Sequence, residues 1–307
     1  MKKHLFKIFF ILLMYFSFNI VYAEKTLVLD NPVITFRNID KYGLQGFTTV
    51  DNYLFMILEG YDDTKAIIKV YDLDTFKEVK SYEYGSLGHS NDVTYNRKNN
   101  KIYVIASSGS NIVYTFNGDS FLYEDEFDIG LPVRSITYVE DEDIYAVRTV
   151  SVGFKYDSKF NLISKVPFVI GLNFSADLGR QGWAYYNKYI YYANWSWIRL
   201  GGDGANIIYV YDLNGRRKNT LYTENNIGEL EDIAFYNNKM VLGFNGYDKN
   251  IKFYMVDIPG TEDLVLEETK NEVSVDKVDS LSYIWIFLLF FSVLSIGFIF
   301  IISKRKR

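Results

Sequence analysis

The chain has 307 residues, 49% of them hydrophobic and 18% aromatic, with no cysteine, two histidines and a formal net charge of −5. The missing cysteines exclude disulfides, thiol nucleophiles and thiolate metal sites. The acidic balance argues against nucleic acid or an anionic surface as a partner held by a basic field.

The first predicted element is a leader. Met1-Lys2-Lys3 and Lys7 precede an apolar run from Ile8 to Phe18, and Val21-Tyr22-Ala23 follows with small or β-branched residues at the positions a signal peptidase reads. That pattern predicts a secretory signal peptide over 1–23, cleaved after Ala23. The run falls short of the ~20 residues that a membrane-spanning helix needs. His4 leaves with the leader, so His89 is the one histidine of the mature chain.

Residues 24–258 are the expected outer domain, and between 31 and 258 almost no stretch shows helical periodicity. Short runs of Tyr, Ile, Val and Phe alternate with polar residues and stop at Asn, Asp, Gly and Lys clusters, which is the pattern of strands and turns. One unit recurs: a polar pair, an apolar strand, a turn and a second strand. The five copies open at Gln45-Gly46, Asn91-Asp92, Arg134-Ser135, Gln181-Gly182 and Glu231-Asp232, spaced 46, 43, 47 and 50 residues apart. A companion strand closes each unit, as in Ile67 to Asp72 and Ile207 to Asp212, and an Asp-Leu turn leads into a more polar fourth strand such as Lys77 to Tyr82. Four antiparallel strands repeating every 40–50 residues describe a β-propeller blade. The predicted fold is therefore an all-β, five-bladed propeller. The last copy lacks its fourth strand, and Pro32 to Arg37 is an unassigned strand at the start, so pairing the two would close the ring.

Residues 259–280, from Pro259-Gly260-Thr261-Glu262 onward, turn acidic and polar and read as a spacer. Leu281 to Ile302 then runs 22 residues without a charge, and Lys304-Arg305-Lys306-Arg307 closes the chain in the tail 303–307. That length fits one bilayer crossing, and a basic tail stays cytoplasmic. The predicted location is a cell membrane of Gram-positive type, crossed once, with the propeller outside. The span and tail resemble the sorting signal of wall-anchored proteins, but no Leu-Pro-x-Thr-Gly precedes the span, so the helix is expected to be retained. With the three leader lysines and the four tail cations set aside, 26 cations face 38 acids, a net of −12 for the outer part.

The repeat resembles the NHL-like, YVTN-like and quinoprotein-like bacterial propellers, in the forms Asn91-Asp92-Val93-Thr94-Tyr95-Asn96 and Ile208-Tyr209-Val210-Tyr211-Asp212-Leu213. The resemblance implies an architecture and no activity. Gln45-Gly46 also looks like the first blade of the five-bladed glutaminyl cyclotransferases, although Leu44 stands where that family has threonine.

In a propeller the innermost strand of each blade lines the central channel. The polar pairs should then gather at one mouth, which makes Gln45, Asn91, Arg134, Gln181 and Glu231, with His89, Asp92 and Asp232, the candidate ligand-binding ring. The same residues would equally serve to tie neighbouring blades through backbone hydrogen bonds. Trp195 and Trp197, flanked by Asn194 and Arg199, suit a sugar ring or a cation. They would also serve as filling between blades. No metal site and no cofactor is expected, since neither His-x-x-x-His nor EF-hand spacing occurs. No Gly-x-Ser-x-Gly elbow occurs either, which leaves Glu231 as the candidate acid/base group.

Three functions remain open on this reading. One is a surface binding module for a peptide, a glycan or a partner protein. The second is a surface enzyme of the cyclotransferase or lyase kind, and the third a scaffold in a membrane assembly. A Glu231 carboxyl raised by burial would favour the enzyme. An exposed aromatic patch at Trp195 and Trp197 would favour binding.

Overall fold

A computed structural model describes residues 24–37, 42–60, 65–85, 87, 90, 92–105, 110–149, 152–166, 178–196, 205–223 and 227–258. The predicted leader, spacer, membrane span and tail lie outside the described residues, as do His89, Asn91 and Trp197.

Every described element is a strand. β1 (Glu24–Leu27) and β2 (Ile34–Arg37) come first. Blade 1 follows as β3 (Tyr42–Val50), β4 (Tyr53–Gly60), β5 (Lys65–Asp72) and β6 (Lys77–Gly85). Blade 2 is β7 (Val93–Asn96), β8 (Lys101–Ile105), β9 (Ile112–Asn117) and β10 (Tyr123–Asp128). Blade 3 is β11 (Ser135–Val139), β12 (Ile144–Arg148), β13 (Gly153–Asp157) and β14 (Leu162–Val166). Blade 4 is β15 (Leu178–Tyr186), β16 (Tyr189–Ser196), β17 (Ala205–Asp212) and β18 (Arg217–Thr223). Blade 5 is β19 (Gly228–Tyr236), β20 (Lys239–Gly246) and β21 (Asn250–Asp257). Each blade pairs antiparallel in chain order, and the inner strands β3, β7, β11, β15 and β19 neighbour one another in a closed circle. The chain is a five-bladed β-propeller.

The sequence builds this through alternation on the middle strands, where successive side chains point to opposite faces. Leu54 and Met56 on β4 pack with Phe47, Val241 and Phe253, whereas Phe55 and Ile57 pack on the other side with Val93, Val104 and Phe116. On β12, Ile144 and Ala146 face Trp183 and Ile190, while Tyr145 and Val147 face Tyr103 and Val113. The core therefore lies between blades. No blade buries its faces alone, which is why the unit must repeat.

Turns follow local chemistry. The Asp or Asn that ends the third strand of blades 1 to 4 accepts backbone N–H groups of the following turn. Asp72 caps Asp74 and Thr75, Asn117 caps Asp119 and Ser120, Asp157 caps Lys159 and Asn161, and Asp212 caps Asn214 and Arg216. The β15–β16 and β19–β20 hairpins turn on Asn187-Lys188 and Asn237-Asn238, with φ of 46° and 70° and of 46° and 58°. Two left-handed residues in a two-residue loop match the right-handed twist of the strands they join.

β2 pairs antiparallel with β21 and supplies the fourth strand of blade 5. Its Phe36 stacks on Tyr71 of blade 1 at 5.8 Å and on Phe253 of blade 5 at 6.4 Å. β1, for which the sequence carries no strand signal, pairs in parallel with β18 as a fifth strand of blade 4.

Candidate functional site

Gln45, Gln181 and Glu231 are nearly buried at the entrance end of the inner strands, and all three stand at β-bulges. The register breaks between Leu44 and Gly46, between Arg180 and Trp183, and between Leu230 and Asp232. A bulge re-aims a side chain out of the strand's alternation, and here it does so at the first polar position of three blades. Gln181 Nε2 donates to Glu229 Oε1 at 2.9 Å, and Asn245 Nδ2 donates to Glu231 Oε1 at 2.5 Å. Asn245 also grips the neighbouring blade, accepting from Leu44 N at 2.9 Å and donating to Leu44 O at 3.1 Å. Burial first, and the adjacent Glu229 second, push the Glu231 carboxyl well above the usual glutamate range. Glu229 itself is raised by burial against the pull of Gln181. Glu229 escaped the sequence reading, although it stands two residues before Glu231 on a strand.

The second residue of each polar pair has a different job. Asp92 Oδ1 accepts from Val93 N at 2.9 Å, and its Oδ2 accepts from Ile136 N at 2.8 Å and Trp183 N at 3.0 Å. Asp232 Oδ1 accepts from Ile233 N at 2.7 Å, and its Oδ2 from Phe47 N at 2.9 Å. These are the five equivalent amides, one per inner strand, that follow the polar pairs. Two carboxylates satisfy all five. The other three second positions are Gly46, Ser135 and Gly182, which leave the room: a Cβ on Gly182 would stand 1.8 Å from Asp232 Oδ1. Burial raises both aspartyl pKa values well above the ordinary range. For Asp232 the Asp92 charge adds to the rise, while the amide bonds pull both back. The oxygens of Asp92 and Asp232 thus serve the blade-tying role open to them in the sequence.

Arg148, which carries no sequence signal, is buried beside this knot. Its Nη2 donates to Ser135 Oγ at 2.9 Å and its Nη1 to Tyr192 Oη at 2.6 Å, and its guanidinium lies 4.3 Å from the Tyr192 ring centre. Its charge lowers the Asp92 pKa. Arg134 is half-buried, and its backbone N donates to Arg148 O at 2.7 Å. Trp195 is 5% exposed, so its ring is packed inside and offers no open face to solvent.

The opposite end differs. Where the inner strands exit, a cavity of about 440 Å³ is lined by residues of all five blades, among them Thr48, Thr94, Thr137, Tyr186 and Asn238. Its floor includes Val93, Trp183 and Ile233, whose amides the two aspartates hold from below. Five tyrosines of this end are fixed by their hydroxyls. Tyr95 donates to Asn100, Tyr138 to Asp143, Tyr185 to Asp141, Tyr186 to Asn238 and Tyr236 to Asp74, at 2.6 to 2.9 Å. These residues looked like ordinary strand and turn positions in the sequence, and their convergence appears only once the ring closes.

No protein-family model matches the chain, and no curated protein matches it. Among solved structures it is similar to a hydrazine synthase chain of Kuenenia stuttgartiensis, at a TM-score of 0.40 and 13% identity over 67% of this chain. The match spans 56% of the hydrazine synthase chain. It is also similar to the WD40 repeats of RRP9, at a TM-score of 0.44 and 7% identity, covering 77% of this chain and 83% of that one. A protein of unknown function from Bacteroides thetaiotaomicron gives a TM-score of 0.42 at 12% identity, covering 76% and 74% of the two chains. The propeller assignment rests on this chain's own strand pairing, and these similarities add no activity to it.

Proposed function

We propose that the chain is a membrane-anchored, extracytoplasmic binding module that takes a glycan, a peptide or a partner protein at the exit end of its channel. The observation that carries this reading is the 440 Å³ cavity to which every blade contributes. Its volume falls in the range of small-ligand sites, about 300–1,000 Å³. At the entrance end, in contrast, Asp92 and Asp232 are engaged with backbone amides, and Glu229 and Glu231 with the side-chain amides of Gln181 and Asn245. The leader pattern of residues 1–23 supports export. The uncharged stretch Leu281 to Ile302 with its basic tail supports a single membrane anchor with the C-terminus inside.

Two experiments test this. Protease treatment of intact cells should digest the propeller while sparing the tail, and full protection would overturn the outward orientation. A thermal-shift screen of the full chain against oligosaccharides and peptides should yield a ligand that raises the melting temperature by mass action. That gain should vanish in Tyr186→Ala and persist in Gln45→Ala. A screen with no shift would leave the scaffold reading in its place.

One observation favours a second reading. The raised carboxyl of Glu231, next to that of Glu229, is the kind of group that acid/base catalysis uses. A surface enzyme of the cyclotransferase kind would release ammonia from N-terminal glutaminyl peptides, and Glu231→Gln would abolish that release. No release by the wild-type chain overturns this reading.

A further inference from the structure

We propose that the exit-end cavity is a site for an uncharged saccharide, a neutral sugar ring laid across the Tyr186–Phe235 face with its hydroxyls turned to the threonine floor. The inference rests on the binding-module reading above and names the ligand class for the same site.

Three features of the lining point to this chemistry. The first is a fixed aromatic face. Tyr186 stacks on Phe235 at 4.6 Å with the planes 20° apart, and both rings are half-buried. Tyr186 donates its hydroxyl to Asn238 Oδ1 at 2.8 Å, so the hydroxyl is committed and the ring is held. A ring fixed in this way loses little rotamer entropy on binding, which favours a weakly binding ligand such as a sugar. An aromatic face meets the C–H face of a pyranose through apolar contact, and a rigid ring supplies large contact area at low entropic cost.

The second is a floor of hydroxyls. Thr48, Thr94 and Thr137 line the cavity from three consecutive blades. A threonine hydroxyl both donates and accepts, as does each hydroxyl of a sugar, so the two sets match without either partner being charged. Thr94 Oγ1 accepts from Tyr138 N at 2.9 Å, which fixes the position of its hydroxyl. The same rim adds the Asn238 amide nitrogen, whose carbonyl oxygen Tyr186 already occupies.

The third is charge. The charged side chains of the lining, Arg97 and Glu140, lie 4.0 Å apart, and Arg97 also meets Asp51 at 3.4 Å. The one cation and one anion of the lining offset each other, and the further acids of this end, Asp51, Asp74, Asp141 and Asp143, would disfavour an anionic ligand. A peptide held by strand addition would need an open sheet edge; each inner strand is the end strand of its sheet, and the amide that follows its polar pair is already taken by Asp92 or Asp232.

The test uses the full chain in a zwitterionic detergent without a sugar head group. Chitotriose, cellotriose and maltotriose are titrated against it, with a pool of neutral tetrapeptides in parallel, and binding is read by ligand-observed saturation-transfer NMR. The result expected is binding of at least one trisaccharide, weakened tenfold or more by Tyr186→Ala and by Thr137→Val. Tyr186→Phe, which keeps the ring, should retain most of the binding, and a thermal melt of each variant checks its fold. Trisaccharide binding unchanged by Tyr186→Ala in a folded variant would overturn the assignment of this cavity. Binding of tetrapeptides but no trisaccharide, with loss in the same variants, would overturn the sugar class and leave the binding-module reading standing. Binding of neither would overturn both.

Discussion

The two ends of the channel are built from the same five strands and do opposite things. At the entrance end, Gln45, Gln181 and Glu231 stand at bulges, and Asp92 and Asp232 gather the five equivalent amides, so these two carboxylates are consumed in holding blades together. At the exit end, tyrosine hydroxyls are tied outward to turn residues, and a 440 Å³ space lined by rings and threonines is left between them. Charge at one end of a channel need not mark a ligand site. A carboxylate accepting several backbone amides is acting as structure, and the space that remains lies elsewhere.

The comparison is broken most severely at Asp92. Asp92→Ala strands three buried amides, each worth about 1–3 kcal/mol when left without an acceptor. The propeller should therefore lose at least about 3 kcal/mol in denaturant unfolding, a large share of the ~5–15 kcal/mol that holds a typical domain. A loss below 1 kcal/mol would mean that the amides find other partners.

Gly182→Ala comes next. Its Cβ would stand 1.8 Å from Asp232 Oδ1, so the carboxylate must move off the Phe47 and Ile233 amides. The expected loss is about 2–4 kcal/mol, from overpacking together with weakened hydrogen bonds. A neutral outcome in the same unfolding assay would show that the knot is looser than its geometry.

The acids themselves give the third effect. Glu229 and Glu231 are raised by burial, so the folded state keeps protons there that the unfolded chain has released. Stability is then fully present below the ordinary carboxyl range and is lost as pH rises through the folded values. Melting temperature should fall between pH 5 and pH 8, and fall less steeply in Glu231→Gln. A rise over that interval would contradict the burial assigned to these groups.

The smallest stability effect belongs to the exit end. Tyr186→Ala removes a half-buried ring that stacks on Phe235 and donates to Asn238, and should cost about 1–2 kcal/mol. A larger loss would make this end structural as well, and the contrast between the ends would collapse.

Much of the fold was legible because each blade states its own rules. The polar pair, the apolar strand and the Asn or Asp turn recur, and the alternation on β4 and β12 needs a neighbour on both sides. β1 was not legible, since Glu24-Lys25-Thr26-Leu27 has no apolar alternation and its parallel pairing with β18 is a long-range choice. The site was half legible. Gln45, Gln181 and Glu231 do share one end, but Glu229, which accepts from Gln181, stands two residues before the polar pair and outside the repeated pattern. Arg148 was hidden because a strand-ending arginine ordinarily reaches solvent. Trp195, read as a platform for a sugar or a cation, is buried at the end of β16. The cavity could not be read at all, because it is made by residues far apart in sequence that only closure of the ring assembles.

The measurement that tests the account most directly is residue-resolved amide hydrogen exchange on the wild-type chain and on Asp92→Asn, the milder change that keeps one acceptor oxygen. Protection should fall at Val93 or at the Ile136 and Trp183 pair, whichever faces the new NH2 group, while Phe47 and Ile233, held by Asp232, keep theirs. Equal protection of all five amides in the variant would contradict the division of the knot between two carboxylates, and with it the claim that this end of the channel is structural.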